Sequence, residues 1–91
     1  MRELPKGRRV MKIGDKVKVI VKDSYFMTMG FRERYGEIYH INKYLITVKF
    51  TKNDASYRES FRKADLLAKG WVDMELKQGK EWIKVDKKVI N

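Results

Sequence analysis

The sequence predicts an all-β domain, folded as a small barrel with a lysine-rich outer face. Between residues 16 and 22, valines alternate with lysines, so one face of the predicted strand is apolar and the other is cationic. A Gly14-Asp15 turn signal stands just before this strand. The chain has 91 residues, of which 43% are hydrophobic and 12% aromatic. This length and composition predict one ordered domain with a small core.

Four strands are predicted in chain order, each bounded by a turn signal. They cover residues 16–22, 35–41, 45–50 and 56–62. In the second strand, the spacing of Ile38 and Ile41 breaks strict alternation and predicts a bulge or bend. In the fourth strand, Tyr57 and Phe61 share the face that is predicted to be buried. The residues predicted to form the centre of the core are all apolar: Val17, Val19, Ile38, Ile46, Val48 and Phe61.

The remaining segments complete the predicted organisation. Residues 63–67 are too short for a stable isolated helix and predict one helical turn, followed by a short fifth strand. Beyond Gly70, two alternating runs flank residues 77–80, a pattern that predicts a β-hairpin. Residues 1–11 contain the only proline and no periodicity. The chain is therefore divided into a flexible basic arm (1–11), a barrel (12–69) and a C-terminal hairpin extension (70–91).

Residues 12–69 carry a series of motifs in a recognisable order. A Gly-Asp turn with an alternating strand is followed by a loop glycine, then by Gly-x-Ile-x-x-Ile, Ile-Thr-Val-x-Phe and Phe-Arg-x-x-Asp-Leu segments. The matching positions are 14–19, 30, 36–41, 46–50 and 61–66. This order resembles SH3-like barrels of the KOW type and is similar to small SH3-like proteins encoded by phages and prophages. The resemblance implies a five-stranded SH3-like barrel and binding to RNA or to RNA polymerase, as in ribosomal proteins and transcription elongation factors.

Positive charge is concentrated near the N-terminus. The formal net charge is +10, and residues 1–22 contain eight Lys or Arg residues against two acids, Glu3 and Asp15. Such clustering favours binding to RNA or DNA, or to a protein complex that processes nucleic acid. A solvated strand face or a guarded edge strand is the alternative interpretation of the lysine row. The predicted nucleic-acid-binding residues are all basic: Arg8, Arg9, Lys12, Lys16, Lys18, Lys22, Arg32 and Arg34.

The loop predicted over residues 23–34 is unusually rich in aromatic residues and methionine. Aromatic rings interleaved with arginine can stack on bases or anchor a protein interface, and some of them can instead fold back over the core. The loop therefore supports a second functional hypothesis, a phage- or plasmid-type modulator that docks on a host protein. The predicted partner-binding residues are aromatic, methionine or arginine: Tyr25, Phe26, Met27, Phe31, Arg58 and Arg62.

Several other function classes have little support in the sequence. His40 is the only histidine, there is no cysteine, and the serines have no evident base partner, so no enzyme is predicted. No metal-ligand spacing or phosphate-binding glycine loop is present, and we expect neither a cofactor nor a small-molecule substrate. No apolar stretch is long enough for a signal peptide or a membrane span. A cytoplasmic protein without membrane contact is the expectation.

Overall fold

The computed structural model describes residues 10–23, 30–68 and 70–90. Within these ranges the chain forms one antiparallel sheet of six strands and two short helices. In chain order the elements are β1 (Lys16–Asp23), β2 (Gly30–Ile41), β3 (Leu45–Lys52), β4 (Ala55–Arg62), α1 (Lys63–Leu67), β5 (Val72–Gln78), β6 (Glu81–Lys84) and α2 (Lys87–Ile90). The all-β prediction is confirmed.

The strands lie in the order β4-β3-β2-β1-β5-β6. The sheet buries one face, which carries a single apolar cluster with residues from β1 to β5 and from both helices. All six residues predicted for the centre of the core are buried, with Val17, Val19, Ile46 and Val48 at 0% exposure. They are buried because alternation places them on the same face as their cross-strand neighbours. The opposite face, called the outer face below, is open to solvent.

The sheet curls, although its hydrogen bonding does not close. Helix α1 contacts both β4 and β5, which three other strands separate in the sheet. A five-residue helix is only about 7.5 Å long, whereas four inter-strand steps in a flat sheet span about 19 Å. The two strands can reach one short helix only if the sheet bends around the core. Because no ladder joins the edge strands β4 and β6, the sheet is open, and its closure as a five-stranded barrel stays a prediction.

The bulge predicted in the second strand is confirmed. The β2–β3 register shifts between Ile38, which pairs with Val48, and His40, which pairs with Thr47. Ile38 is in the core, whereas both Tyr39 and His40 are exposed. A bulge inserts one extra residue into a strand and re-aims its side chains. The outer face therefore gains Tyr39.

One residue predicted to be buried is not. Tyr57 is 39% exposed, although its ring stacks on the buried Phe50 at a centroid distance of 5.4 Å. Strand β4 is an edge strand with one fully buried side chain, that of Phe61. No further strand lies beyond this edge of the sheet to cover Tyr57. Its ring is therefore only partly buried, although the alternation places it on the same face as Phe61.

The segment predicted as a C-terminal extension belongs to the main sheet. The hairpin itself is present, with Gly79 at a φ of 66° in the turn between β5 and β6. However, β5 pairs with the central strand β1, and its Val72, Met74 and Leu76 are in the core. The short strand predicted directly after the helical turn is absent from the described residues, because α1 leads into a turn at Ala68. Strand β5 occupies the position beside β1 instead.

The N-terminal boundary also differs from the prediction. Met11, which the sequence places in the flexible arm, is only 4% exposed. Its backbone N–H donates a hydrogen bond to the carbonyl of Val89 in α2 at 2.9 Å. An apolar side chain with a bonded backbone belongs to the folded unit, so the arm ends before residue 11. Residues 1–9 of the predicted arm lie outside the described residues.

Candidate nucleic-acid interface

The lysine row on β1 lies on the outer face, as predicted, but two of its members are paired. The Nζ atom of Lys18 lies 3.4 Å from Glu75 Oε1, and that of Lys22 lies 3.0 Å from Asp73 Oδ2. Both acids come from β5, whose outer-facing positions lie beside those of β1. The row is therefore largely neutralised, and Lys16 is its one member without an ion pair to another described residue.

A second basic row runs across the sheet rather than along a strand. Lys16 pairs in register with Glu37, Glu37 with Lys49, and Lys49 with Arg58. Three inter-strand steps make this row about 14 Å long. Like charges directly opposite each other destabilise a sheet, yet neither Lys49 nor Arg58 forms an ion pair with a described carboxylate. Neither cation of this adjacent pair is therefore neutralised by an ion pair with another described residue.

Tyr39 stands beside this row because of the bulge in β2. Its side chain is 46% exposed, and the guanidinium carbon of Arg58 lies 4.7 Å from the centre of its ring. Such a cation–π contact fixes the ring without burying it. The bulge thus presents a held aromatic ring to solvent next to an uncompensated arginine.

Tyr35 is the second exposed ring on the same strand. It is 56% exposed, but its hydroxyl donates a hydrogen bond to Glu33 Oε1 at 3.2 Å. The ring also meets Trp82 edge-on at 5.7 Å, and the Nζ atom of Lys18 lies 5.8 Å from its centre. These contacts connect β2 to β1 and β6, so Tyr35 is exposed and still held in place.

We call the surface that contains both tyrosines and the transverse row the outer patch. It consists of six residues on β1 to β4: Lys16, Tyr35, Glu37, Tyr39, Lys49 and Arg58. Lys16 and Arg58 were candidates from the sequence, although Arg58 was assigned to partner binding. The other four were missed. The Ile38/Ile41 spacing was the available signal for Tyr39, because a bulge there leaves an extra side chain facing outward.

Arg34 lies apart from the lysine row, on the core side at one end of the sheet. It forms an ion pair with Glu59 at 2.9 Å, donates a hydrogen bond to the Tyr57 hydroxyl at 3.3 Å, and covers the Phe50 ring at 4.5 Å. Burial lowers the pKa of Arg34, but the hydrogen bonds to Glu59 and Tyr57 outweigh it and leave the pKa raised. Its charge is satisfied internally, so Arg34 is better explained by structure than by ligand binding.

Arg34 and Arg32 both line an open groove at this end of the sheet. The groove has a volume of about 600 Å³, and Lys52 and Trp71 contribute to its other walls. Trp71 is 49% exposed there. We call this surface the end groove. Arg32 and Arg34 therefore line a different surface from Lys16, with which the sequence grouped them.

The remaining sequence candidates do not add to the outer patch. Lys12 is exposed, and Arg62 forms an ion pair with Asp65 at 3.2 Å, which raises the pKa of Arg62. The Phe31 backbone pairs with Lys22 in the β1–β2 ladder, but its side chain is outside the description. Five further candidates lie outside the described residues: Arg8, Arg9, Tyr25, Phe26 and Met27.

Among the described residues, no group of three or more His, Cys, Asp or Glu residues is placed to hold a metal ion. None of the described helices has both the length and the apolar character needed to cross a membrane.

Comparison with protein-family models, curated proteins and solved structures found no significant match.

Proposed function

We propose that the protein is a non-catalytic, regulatory binding protein that contacts single-stranded RNA or DNA through the outer patch. The observation that carries this proposal is the adjacent pair Lys49 and Arg58, flanked by exposed tyrosines that neighbouring side chains hold in place. Cations neutralise backbone phosphates, and aromatic rings stack on bases whatever the sequence. An anionic strand would also relieve the repulsion between the two cations.

We also propose that strands β1 to β5 form an SH3-like barrel, with β6 added at one edge. The curled sheet supports this proposal, as does the position of α1 between β4 and β5, where the sequence predicts a helical turn before the last barrel strand. In this interpretation the barrel extends to the end of β5 rather than to residue 69. The resemblance to KOW modules is accordingly proposed for the curled sheet that β1 to β5 form, rather than for residues 12–69.

A single-stranded ligand fits the outer patch better than a duplex does. The outer patch combines a short transverse row of charge with rings that can receive unstacked bases, and bases are available for stacking only outside a helix. A protein partner, the alternative suggested by the loop at 23–34, is bound mainly through a few aromatic and arginine anchors that become fully desolvated in closely packed pockets. The outer patch contains three cations and one carboxylate, which favours a polyanion over such a partner.

The test is a comparison of two double variants that remove the same charge. We expect Lys49→Gln/Arg58→Gln to weaken binding of a labelled single strand at least tenfold at low salt, because two phosphate contacts are lost. The slope of log K against log salt should become shallower by about 1.4, at about 0.7 per phosphate contact for single strands. Fluorescence anisotropy over a salt series measures both quantities.

Lys80→Gln/Lys87→Gln is the matched control. Both lysines are exposed and lie outside the outer patch, Lys80 in the β5–β6 turn and Lys87 in α2. We expect this variant to retain nearly all the affinity of the parent chain. Equal losses in the two variants would mean that only net charge matters, and the proposal would be wrong. No affinity of the parent chain for RNA or DNA at low salt would also exclude it and favour protein docking.

A further inference from the structure

Glu37 occupies the centre of the outer patch, between two small depressions. One depression has a volume of about 240 Å³ and is lined by Ile13, Tyr39 and Lys49. The other has a volume of about 230 Å³ and is lined by Lys16, Tyr35 and Lys49. Glu37 lines both. Each depression therefore contains one exposed tyrosine, and the two share one lysine and one carboxylate.

The backbone fixes the outer wall of the first depression. The Gly14 N–H donates a hydrogen bond to the Ile38 carbonyl at 2.9 Å, and the Ile38 N–H donates one to the Asp15 carbonyl at 2.8 Å. These bonds hold the turn before β1 against the bulge of β2. Ile13 is consequently kept beside Tyr39, where it is 62% exposed. An apolar side chain held open at this position can contact the flat face of a base.

The central carboxylate has no ion pair among the described residues, although it lies in register between Lys16 and Lys49. An ionised carboxylate only accepts hydrogen bonds. Cytosine presents an exocyclic amino group that donates to such an acceptor, whereas thymine and uracil present a carbonyl oxygen in the same position. Glu37 should therefore attract amino-bearing bases and repel thymine and uracil.

We propose that the outer patch is a two-base site in which Glu37 selects bases that carry an exocyclic amino group. Two bases of one strand stack on Tyr35 and Tyr39, Lys49 neutralises a phosphate between them, and Glu37 accepts a hydrogen bond from an amino group. This inference rests on the proposed function and adds a preferred ligand class, single strands rich in amino-bearing bases such as cytosine, together with the residue that determines the preference.

The first test uses oligo(dC) and oligo(dT) of equal length at neutral pH, since both carry the same charge and differ at the base. We expect the parent chain to bind oligo(dC) at least about tenfold more tightly, consistent with the discrimination of a good base contact. Glu37→Gln should lose this preference, because an amide both donates and accepts. Its affinity for oligo(dT) should rise, because a repelling charge is removed.

Equal binding of both strands by the parent chain would overturn base selection, and so would an unchanged preference in Glu37→Gln. Either result would leave the proposed function in place as long as binding still depends on Lys49 and Arg58. Loss of all binding in the parent chain would instead end both proposals.

A second comparison tests the two stacking positions. We expect Tyr35→Ala and Tyr39→Ala each to weaken oligo(dC) binding about tenfold, because a stacked ring is lost. Tyr44→Ala is the matched control: Tyr44 is 68% exposed and has a lysine over its ring, but it lies outside both depressions. Equal losses in all three variants, or none in the first two, would contradict the two-base site.

Discussion

Replacing Phe61 with alanine is expected to lower the free energy of unfolding by about 3–5 kcal/mol. Phe61 is 2% exposed and pairs with the buried Ile46 across the β3–β4 ladder. It is the one fully buried side chain of β4, and α1 begins directly after this strand. Removing the ring opens a cavity and releases the apolar contact that holds the edge strand, so little relaxation can offset the loss. Urea denaturation followed by circular dichroism measures the change.

Tyr57→Ala is the matched control in the same strand. Tyr57 has an aromatic ring of similar size, but it is 39% exposed and stacks on Phe50 from the rim of the core. We expect a loss of only about 1 kcal/mol, because much of the ring already faces solvent. A loss as large as that of Phe61→Ala would mean that β4 buries both aromatic residues, as strict alternation predicts.

The second large effect is expected at Gly36, where β2 passes very close to β3. A Cβ atom at this position would lie 2.6 Å from the Lys49 carbonyl oxygen and 2.7 Å from Val48 Cγ1. The first contact is with backbone, so a side-chain rotation cannot relieve it. We expect Gly36→Ala to destabilise the fold by about 1–3 kcal/mol through overpacking. Thermal and urea unfolding measure this loss.

Gly70→Ala is the corresponding control, because its Cβ would meet no atom within 4 Å. We expect its stability to stay within about 0.5 kcal/mol of the parent chain. An equally harmless Gly36→Ala would contradict the close packing of β2 on β3 at this position. Because Lys49 belongs to the outer patch, Gly36→Ala should also weaken oligonucleotide binding, whereas Gly70→Ala should not.

Local patterns predicted the parts of the fold that local physics determines. Alternation identified β1 and the burial of Val17 and Val19, because successive strand residues must point to opposite faces. The Ile38/Ile41 spacing identified the bulge, and the turn glycine identified the hairpin. Each of these features depends on residues that are close in the chain. Their local signals agree with the final structure.

Features that depend on lateral strand order could not be predicted in the same way. Lys18 and Glu75 are far apart in the sequence, and they meet only because β5 pairs with β1. Likewise, Lys49 and Arg58 form a transverse row with Lys16 only through the pairing of four strands. The sequence identifies which side chains face outward, but long-range pairing decides which charges are neutralised. The sequence therefore predicts a candidate site along β1, whereas the structure places it at the centre of the outer face.

Binding at the outer patch is tested most directly by an NMR titration of the ¹⁵N-labelled chain with single-stranded oligo(dC). We expect the largest changes in backbone amide shift at Tyr35, Glu37, Tyr39 and Lys49, with small changes in α2. Shifts concentrated instead at Lys52 and Trp71, which line the end groove, would contradict the assignment of the interface to the outer patch.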